Sequence, residues 1–552
     1  MRLQPNCCFL RLIVKVGGLA QPVATGNFYK HQLMTRFICI AILCFWLSPA
    51  VRGQAPADST KKVEILSADS LAITLDDQGE NRKLFGNVRL KHEGAIMYCD
   101  RALQHVDINF IEAYGHVKIV QGDTITVTGD TLHYFSDTRL AIMMGKKAQL
   151  KDTNRTLTST RLEYDMQGGI ASYKTPGVTV DKADTLSSKT GFYDTRTKEY
   201  TYYQDVKLVN DKYTLTTDTL LFQSLTKWSF FRGNTLIVNK DGQLSGRKGR
   251  HNTETGESIF DTRTMVDNES YTLSGDSLYY DEPNQRGYAK GNVEIVAKKD
   301  STVLNGDEAM YRGTEGFSKV FGHAVVKTVL SLDTLFIRAD TLYSIENKAD
   351  STRKMIADRN VFIFKSDFQG ICDSLTYNSA DSIINFYKKP VLWGDNSQME
   401  ADSVTAWLVN SKVNRMHLRG NSFVISEDTL IKQHNQIKGR TIMAYFNSRS
   451  KVERVDVDGN GESIYYAVDD HEAVIGLNRV LCGKMNIRFE EDKVHRIAFL
   501  GRPDGKLIPP HEIKAGERQL EGFNWRIAQK PTKAIATWQQ ATGEAIKKEE
   551  KL

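Results

Sequence analysis

The stretch Val127–Tyr134, with the sequence VTGDTLHY, contains the motif that decides the fold. In this motif a small residue is followed by Asp, then by Ser or Thr, and then by Leu. The flanking residues alternate in polarity or are β-branched and aromatic, which is typical of a short strand. Clear copies of the motif are Ala68–Leu71, Gly129–Leu132, Thr217–Leu220, Gly275–Leu278, Ala339–Leu342 and Cys372–Leu375. Looser copies occur at Cys99, Gly306 and Ala401, and degenerate copies near Thr160, Thr190, Arg247, Arg440 and Gly483.

The motif recurs with a period near 30 residues. From position 69 to position 402 the steps between successive copies lie between 28 and 33 residues, and the last two steps are 38 and 43 residues. A fixed period of this length indicates a repeat architecture in which each repeat packs on its neighbours. We expect roughly three short strands per repeat and no major helical domain. The predicted fold class is therefore all-β, a solenoid-like stack of short strands.

A second recurring unit is Gly followed by Asn or His and then by an alternating strand, as in Gly86–Leu90 and Gly115–Ile119. Its apolar residues lie on one face, which we call the stripe, and polar residues such as Lys118 and Lys207 lie between them. This alternation predicts a sheet with one solvated face. The stripe is either a closed core or the floor of an open groove that could hold acyl chains, and the sequence leaves both open. The stripe pairs are Val88/Leu90, Val117/Ile119, Ala148/Leu150, Val178/Val180, Val206/Leu208, Val293/Ile295, Val361/Ile363 and Val391/Trp393.

The motif aspartates and the cysteines both have structural interpretations. Asp before Ser or Thr caps turns, and we favour that role over calcium binding because no glycine-aspartate nonapeptide repeat is present. Four of the seven cysteines lie in the first 53 residues, and Cys99, Cys372 and Cys482 occupy the small-residue position of the motif. This position predicts small buried side chains, not a disulfide framework or a metal site.

The first 53 residues are predicted to be a leader that contains a secretory signal peptide. Phe37–Leu47 is an apolar stretch preceded by Arg36 and followed by small residues in Ser48–Gly53. The stretch is short for a membrane span, so a cleaved signal is favoured over an uncleaved anchor, and Met34 is the expected true start. The leader holds six basic and no acidic residues, which leaves 67 basic and 67 acidic residues in the rest of the chain. This balance gives no electrostatic case for nucleic-acid binding.

The sequence contains no His-Glu-x-x-His, Cys-x-x-Cys or Gly-x-Ser-x-Gly motif. We therefore predict no catalytic residues, no metal ligands, no cofactor and no enzymatic activity. Acidic residues are numerous, so a β-helical enzyme that acts on polysaccharide stays open as an alternative.

The phrases Leu84–Val88, Tyr114–Val117, Val127–Tyr134 and Ala289–Val293 resemble the OstA/LptA-like (organic solvent tolerance protein A-like) family, in particular the OstA-like proteins of Bacteroidetes. The resemblance covers about Val63 to Gly505. It implies a β-jellyroll or β-taco fold with an open apolar groove. It also implies periplasmic transport of lipopolysaccharide toward the outer membrane, by end-to-end strand pairing with other jellyrolls and without catalysis.

The resemblance suggests a division of the chain after the leader (1–53). Residues 54–62 form a short linker and residues 63–225 a first OstA-like β-jellyroll. Residues 226–425 continue the OstA-like repeats, residues 426–510 are divergent C-terminal β-repeats, and residues 511–552 are a Lys/Glu-rich tail.

The predicted function is that of a periplasmic lipid-carrying bridge, with lipopolysaccharide or another acylated lipid as cargo. The expected protein partners are other jellyroll proteins of the bridge, joined through edge strands, and an outer-membrane translocon. The expected location is the periplasm, with or without attachment to the outer membrane. The alternatives are a structural cell-envelope β-repeat protein with a closed core and the polysaccharide-active enzyme. The predicted lipid-binding residues are Val88, Leu90, Val117, Ile119, Val206, Leu208, Val293, Ile295, Val361 and Ile363.

Overall fold

The computed structural model describes residues 62–538, apart from short gaps at 77–78, 154, 182–183, 241, 270, 299–300, 331–332, 348, 351, 411, 470, 472 and 491–492. The predicted leader with its signal peptide, nearly all of the linker and the end of the tail lie outside the described residues. The described chain is nearly all strand, and the prediction of an all-β fold without a helical domain is confirmed.

The chain divides into two compact units. The N-terminal unit contains the described residues up to Asp211 together with Thr219–Leu225, and the C-terminal unit contains Lys212–Asp218 and the described residues from Thr226 onward. The strands of the N-terminal unit are β1 (Glu64–Ser67), β2 (Ser70–Asp76), β3 (Gly79–His92), β4 (Ala95–His105), β5 (Phe110–Gln121), β6 (Ile125–Phe135), β7 (Leu140–Asp152), β8 (Arg155–Asp165), β9 (Ile170–Tyr173), β10 (Gly177–Asp181), β11 (Asp184–Ser188), β12 (Thr190–Asp194) and β13 (Glu199–Val209).

The C-terminal unit has the longer strands. Strand β14 (Tyr213–Gln223) contributes residues to both units. The remaining strands are β15 (Trp228–Asn239), β16 (Gly242–Asn252), β17 (Glu257–Phe260), β18 (Thr264–Asp267), β19 (Tyr271–Gly275), β20 (Ser277–Asp281), β21 (Arg286–Ala297), β22 (Thr302–Arg312), β23 (Phe317–Val329), β24 (Thr334–Asn347), β25 (Thr352–Lys365), β26 (Phe368–Asn378), β27 (Ile383–Tyr387), β28 (Val391–Gly394), β29 (Ser397–Glu400), β30 (Ser403–Val409), β31 (Lys412–Asp428), β32 (Gln433–Phe446), β33 (Val452–Val468), β34 (Val474–Glu490), β35 (Lys493–Leu500) and β36 (Asp504–Ile508).

The repeats from β3 to β8 are each built from two long bent strands, not from three short ones as the sequence predicted, whereas β9 to β12 are separate strands of four or five residues. Strands β3 to β8 pair with their sequence neighbours in antiparallel ladders, and each ladder shifts register near its middle. In the β3–β4 ladder the shift lies between the pairs Phe85–Arg101 and Val88–Cys99, so that Gly86 and Asn87 are left out. The motif Asp of one strand and the Gly-Asn unit of the next strand therefore meet at one bend, which we call a corner.

The corner divides each strand into two arms, and the arms form two facing layers. In β3, β5 and β7, the arm before the Gly-Asn unit lies in layer 1 and the arm after it lies in layer 2. In β4, β6 and β8, the arm after the motif Asp lies in layer 1 and the arm before it lies in layer 2. Side chains of layer 2 hydrogen-bond with side chains of layer 1, so the layers face each other across an interior. We call the edge farthest from the corners the mouth.

The end of the chain packs back onto the C-terminal unit. Residues Pro509–Trp538, which we call the strap, contain three 3-10 turns and the short helix α1 (Lys533–Ala536). Leu520 of the strap joins a buried apolar cluster with Ile425 of β31, Ile464 of β33 and Ile508 of β36. The tail that the sequence indicated thus begins as an ordered segment that covers one face of the sheet.

Candidate functional site

The predicted lipid-binding residues lie in the interior, one and three positions after a corner. Val88, Leu90, Val117 and Ile119 are at most 1% exposed, and Val206, Leu208, Val293, Val361 and Ile363 are also buried, whereas Ile295 is half-buried. The intervening residues Arg89, Lys118, Lys207 and Glu294 are exposed. The alternation is therefore as the sequence indicated, and lipid binding by these residues stays a prediction.

Two pairs of the stripe were assigned to the wrong face. Val178 and Val180 are 39% and 42% exposed, because Gly177 pairs with Ser159 and takes the first position after the corner, which places Gly177 and Thr179 toward the interior. The predicted register is therefore off by one position, and a shift of one position moves every following side chain to the other face.

Val391 and Trp393 are displaced for a related reason. The corner residues Lys388 and Lys389 both have positive φ, so that Pro390 and Leu392 occupy the first and third positions after the corner. Trp393 lies opposite Gln398 in the β28–β29 ladder and donates a hydrogen bond of 3.2 Å from Nε1 to Gln398 Oε1. Gln398 in turn bonds the strap, so Trp393 faces the strap and not the stripe.

The motif aspartates lie on the outside of the corners and bond the neighbouring strand. Asp69 accepts hydrogen bonds of 3.0 and 3.2 Å from Asn87 Nδ2, and His116 Nδ1 lies 2.8 Å from Asp100 Oδ2. The motif aspartates therefore stabilise the bend at the Gly-Asn or Gly-His unit of the next strand, and not a turn in their own backbone. The same arrangement joins Asp276 to Asn292, Asp307 to His323, Asp340 to Asn360 and Asp402 to Asn421.

These contacts explain why Asn and His occupy the second corner position. Asn87 has φ +46° and His116 has φ +44°, the left-handed region that L-residues other than Asn and Asp rarely adopt. The side-chain bond to the motif Asp fixes this conformation. Within the described chain, no group of three or more His, Cys, Asp or Glu side chains is arranged to hold a metal ion.

A row of buried or half-buried polar pairs joins the two layers at the mouth of the N-terminal unit. His92 Nδ1 lies 2.6 Å from the Tyr134 hydroxyl, and Tyr164 donates a hydrogen bond of 2.6 Å to Gln121 Oε1. Tyr193 donates to Asp152, which extends the row by one repeat. In each pair, the residue of layer 2 lies five or more positions after the corner of its own strand. Its partner is a tyrosine of layer 1 that belongs to the following repeat. The pairs hold the layers together along the side opposite the corners.

The third pair carries a buried charge. Asp152 is almost completely buried and also accepts a hydrogen bond from Lys198. Burial opposes ionisation of Asp152, but the hydrogen bonds from Lys198 and Tyr193 outweigh it and hold the pKa of this carboxyl below its ordinary value. Asp152 is therefore an ionised group inside the mouth, neutralised by a lysine that reaches in from the next turn.

The sequence did not reveal the mouth pairs. A weak signal exists, because a tyrosine two positions after the motif Leu occurs in Val127–Tyr134 and a polar residue ends each of the strands β3, β5 and β7. The pairing itself joins residues 41 to 43 positions apart, a separation that neither the repeat nor the strand period specifies.

One edge of the N-terminal unit opens the interior to solvent. Leu71, Ile73 and Leu75 of β2 are 50%, 56% and 81% exposed. Leu71 lies opposite Leu84 in the ladder, and Leu84 is fully buried, so these three side chains continue the interior face of layer 1. In the described chain β1 and β2 pair only with β3, so each leaves one edge without a strand partner.

The three described cysteines are buried, as their position in the motif predicted, and they are free thiols. Burial raises the pKa of the Cys99 thiol to about 11 and that of Cys372 to about 12. Such thiols have little nucleophilic or ligand character at neutral pH. No helix in the described part of the chain is long and apolar enough to cross a membrane.

Comparison with known proteins gives a match in the N-terminal half of the chain, which contains these corners and mouth pairs. Residues 60–218 and 213–276 match the family model of the OstA-like proteins. No curated protein matches the chain. The matched residues include the corners at Gly86–Asn87 and Gly115–His116 and the mouth pairs, which are the features that the recurring motif builds. Through residues 60–276, the chain is similar to the OstA-like protein family.

Proposed function

We propose that this chain is a periplasmic lipid-carrying bridge protein that holds acyl chains in the interior of its two-layered units. Lipopolysaccharide, carried toward the outer membrane, is the proposed cargo. The match of residues 60–276 to the OstA-like family and the stacked all-β architecture support this role. The protein acts by binding, without catalysis.

The observation that carries the proposal is the exposed apolar end of the interior. Leu71, Ile73 and Leu75 present three aliphatic side chains to solvent at the edge where the interior of the N-terminal unit opens. Exposed apolar surface of this kind marks a binding site in a soluble protein. Leu71 lies opposite the buried Leu84 in the ladder, and Val88 and Leu90 farther along β3 are also buried, so an acyl chain entering beside Leu71 would meet apolar side chains.

The same edge is suited to a protein partner. The free edges of β1 and β2 present backbone N–H and C=O groups that can add a strand from another chain. A partner jellyroll that paired there would extend both layers and join its own interior to this one. Other jellyroll proteins of a transport bridge, and an outer-membrane translocon at its end, are the proposed partners.

Photo-crosslinking in cells tests the proposal. A photoreactive amino acid at Val117, which faces the interior, is expected to form adducts with lipopolysaccharide, and the same amino acid at the exposed neighbour Lys118 is not. Depletion of the protein should leave newly made lipopolysaccharide on the inner side of the envelope. Equal adduct yields at the two positions, or normal delivery after depletion, would contradict the proposal.

A second candidate is a structural cell-envelope protein with a closed core. The burial of Val88, Val117 and Ile119, together with the mouth pairs His92–Tyr134 and Gln121–Tyr164, favours it, because these features describe a filled interior. This candidate predicts no lipid adduct at Val117.

A further inference from the structure

A row of interior side chains runs along layer 1, two positions from each corner. It begins at the exposed Leu71 and continues through buried aliphatic residues of successive strands. These are Leu84, Ala102, Ala113, Leu132, Met143 and Leu162, all at most 4% exposed. At β9 the row changes character, because the next members are Tyr173, Gly191 and Tyr202. The aliphatic part of the row therefore ends at β8.

Four tyrosines fill the interior at this point from the corner to the mouth. Tyr173 and Tyr202 lie near the corner, and Tyr193 and Tyr200 lie near the mouth, with all four at most 3% exposed. The rings of Tyr193 and Tyr200 are stacked with their centroids 3.9 Å apart, and those of Tyr200 and Tyr202 are 6.2 Å apart. We call this group the tyrosine plug.

Polar contacts anchor the plug to both layers. The Tyr173 hydroxyl lies 2.6 Å from Ser188 Oγ in layer 2, and the Tyr193 hydroxyl donates to Asp152 in layer 2. The Arg155 guanidinium lies over the Tyr200 ring, 5.0 Å from its centroid. A tyrosine held by both its ring and its hydroxyl group is less free to move aside than an aliphatic residue.

The backbone on both sides makes room for Tyr173. A Cβ atom added to Gly177 of layer 2, or to Gly191 of layer 1, would lie 2.5 Å from an atom of the Tyr173 side chain. Opposite the plug, the interior face of β10 carries Gly177 and Thr179, where β3 and β5 carry the stripe residues. The apolar lining is thus interrupted on both layers at the same level.

On the basis of the proposed function, we propose that the tyrosine plug closes the lipid-binding interior of the N-terminal unit at one end. Acyl chains that enter at Leu71 on β2 reach as far as β8, six strands away, or roughly 29 Å at about 4.8 Å per strand. Of the predicted lipid-binding residues in this unit, Val88, Leu90, Val117 and Ile119 lie on the open side of the plug. Val206 and Leu208 lie on β13, which the plug separates from the open edge. The tyrosines thereby determine the length of acyl chain that the unit accepts.

Leu90 and Leu208 allow a matched test, because both are leucines three positions after a corner. A diazirine-bearing aliphatic amino acid replaces one or the other in the full chain, and the purified protein is irradiated with radiolabelled lipopolysaccharide. We expect an adduct from Leu90 and only background from Leu208. In the variant Y173L/Y202L, which gives these positions the residue found at Leu84 and Leu162, we expect adducts from both.

Phe192→Leu is the control, because Phe192 lies beside Tyr193 on the exposed outer face and its loss should change neither yield. Adducts from both the Leu90 and the Leu208 positions, in a protein that keeps all four tyrosines, would contradict the proposed closure and leave the proposed function intact. Adducts from Leu90 alone in Y173L/Y202L would also overturn the plug. No adduct from Leu90 would overturn the proposed function and the plug together. If the double variant does not fold, Y173M, with the residue found at Met143, replaces it.

Discussion

Asn292 donates a side-chain hydrogen bond of 2.6 Å to Asp276, the motif aspartate sixteen residues earlier. Asn292 has φ +45°, and it follows Gly291 with φ +77°, so two consecutive left-handed residues bend the strand. The bond joins the two halves of the recurring sequence pattern, which lie far apart in the repeat but meet at each corner. One residue pair thus explains why both the Asp motif and the Gly-Asn unit recur with the same period.

Asn292→Ala should lower the free energy of unfolding by about 1–2 kcal/mol, because Ala pays the full cost of the left-handed conformation and loses the bond to Asp276. Asn292→Gly should cost less, since Gly adopts this conformation without strain and loses only a solvent-exposed bond. Urea unfolding followed by circular dichroism measures both. Equal losses for Ala and Gly would show that the conformation of the corner is not what Asn292 provides.

His116 should report the corner bond through its titration. The hydrogen bond to Asp100 and the charge of that carboxylate raise the pKa of His116 above its ordinary value of 6.5. The bond therefore adds stability that is fully present below pH 6.5 and is lost as the pH rises through the raised value. An NMR titration should place the His116 pKa above 6.5, and Asp100→Asn should return it toward 6.5. His116→Asn, with the residue found at Asn87, should abolish this pH dependence while keeping the corner.

The sequence predicted the features that depend on local pattern. Alternation placed Val88, Leu90, Val117 and Ile119 on the interior face because each pair follows a recognisable Gly-Asn or Gly-His corner. It failed at Val178, where Gly177 takes the first position after the corner, because the residue at which a bend ends is set by backbone conformation and is not visible in polarity.

Contacts between distant residues were beyond prediction for a different reason. The pair His92–Tyr134 depends on how far apart the two layers stand, and the contact of Gln398 with Asn524 joins residues 126 positions apart. The strap has no repeat and little apolar periodicity, so nothing in its sequence indicated the face on which it packs. The repeat and its interior face could therefore be predicted from the sequence. The side-chain pairs that close the interior and the strap that covers the sheet could be identified only in the structure.

Val117 and its neighbour Lys118 offer a direct test of the interior in the absence of cargo. Val117→Asp should lower the free energy of unfolding by more than about 3 kcal/mol, because a carboxylate in the filled interior would lose its hydration. Lys118→Asp, on the exposed face, should change it by less than about 0.5 kcal/mol. Chemical unfolding of both variants gives the comparison. A Val117→Asp protein as stable as the Lys118→Asp protein would indicate an interior open to water.

The buried thiols should resist modification in the folded protein. With a pKa of about 12, on the order of 10⁻⁴ of the Cys372 thiol is ionised at pH 8. A chain beginning at Gln54 retains Cys99, Cys372 and Cys482, and these should show almost no reaction with a disulfide reagent until urea unfolds the protein. The release of three equivalents on unfolding is the internal control. Rapid reaction of one thiol in the native protein would indicate that its strand opens locally.

The strap should detach when its glutamine contacts are removed. Gln436 donates from Nε2 to the Arg518 carbonyl and accepts from the Leu520 N–H, both at 2.8 Å, and Gln398 makes the same pair of bonds to Asn524 and Arg526.

Gln436→Ala leaves a buried backbone donor and acceptor of the strap without partners, which costs about 1–3 kcal/mol. We expect faster hydrogen exchange at Leu520 and faster tryptic cleavage after Arg518. Gln436→Glu keeps the acceptor for Leu520 but loses the donor to Arg518, and should fall between Ala and the natural residue. Gln243→Ala, at an exposed position, is the control and should change neither rate. Unchanged exchange at Leu520 in Gln436→Ala would mean that apolar packing with Ile425 and Ile464 holds the strap without the glutamine bonds.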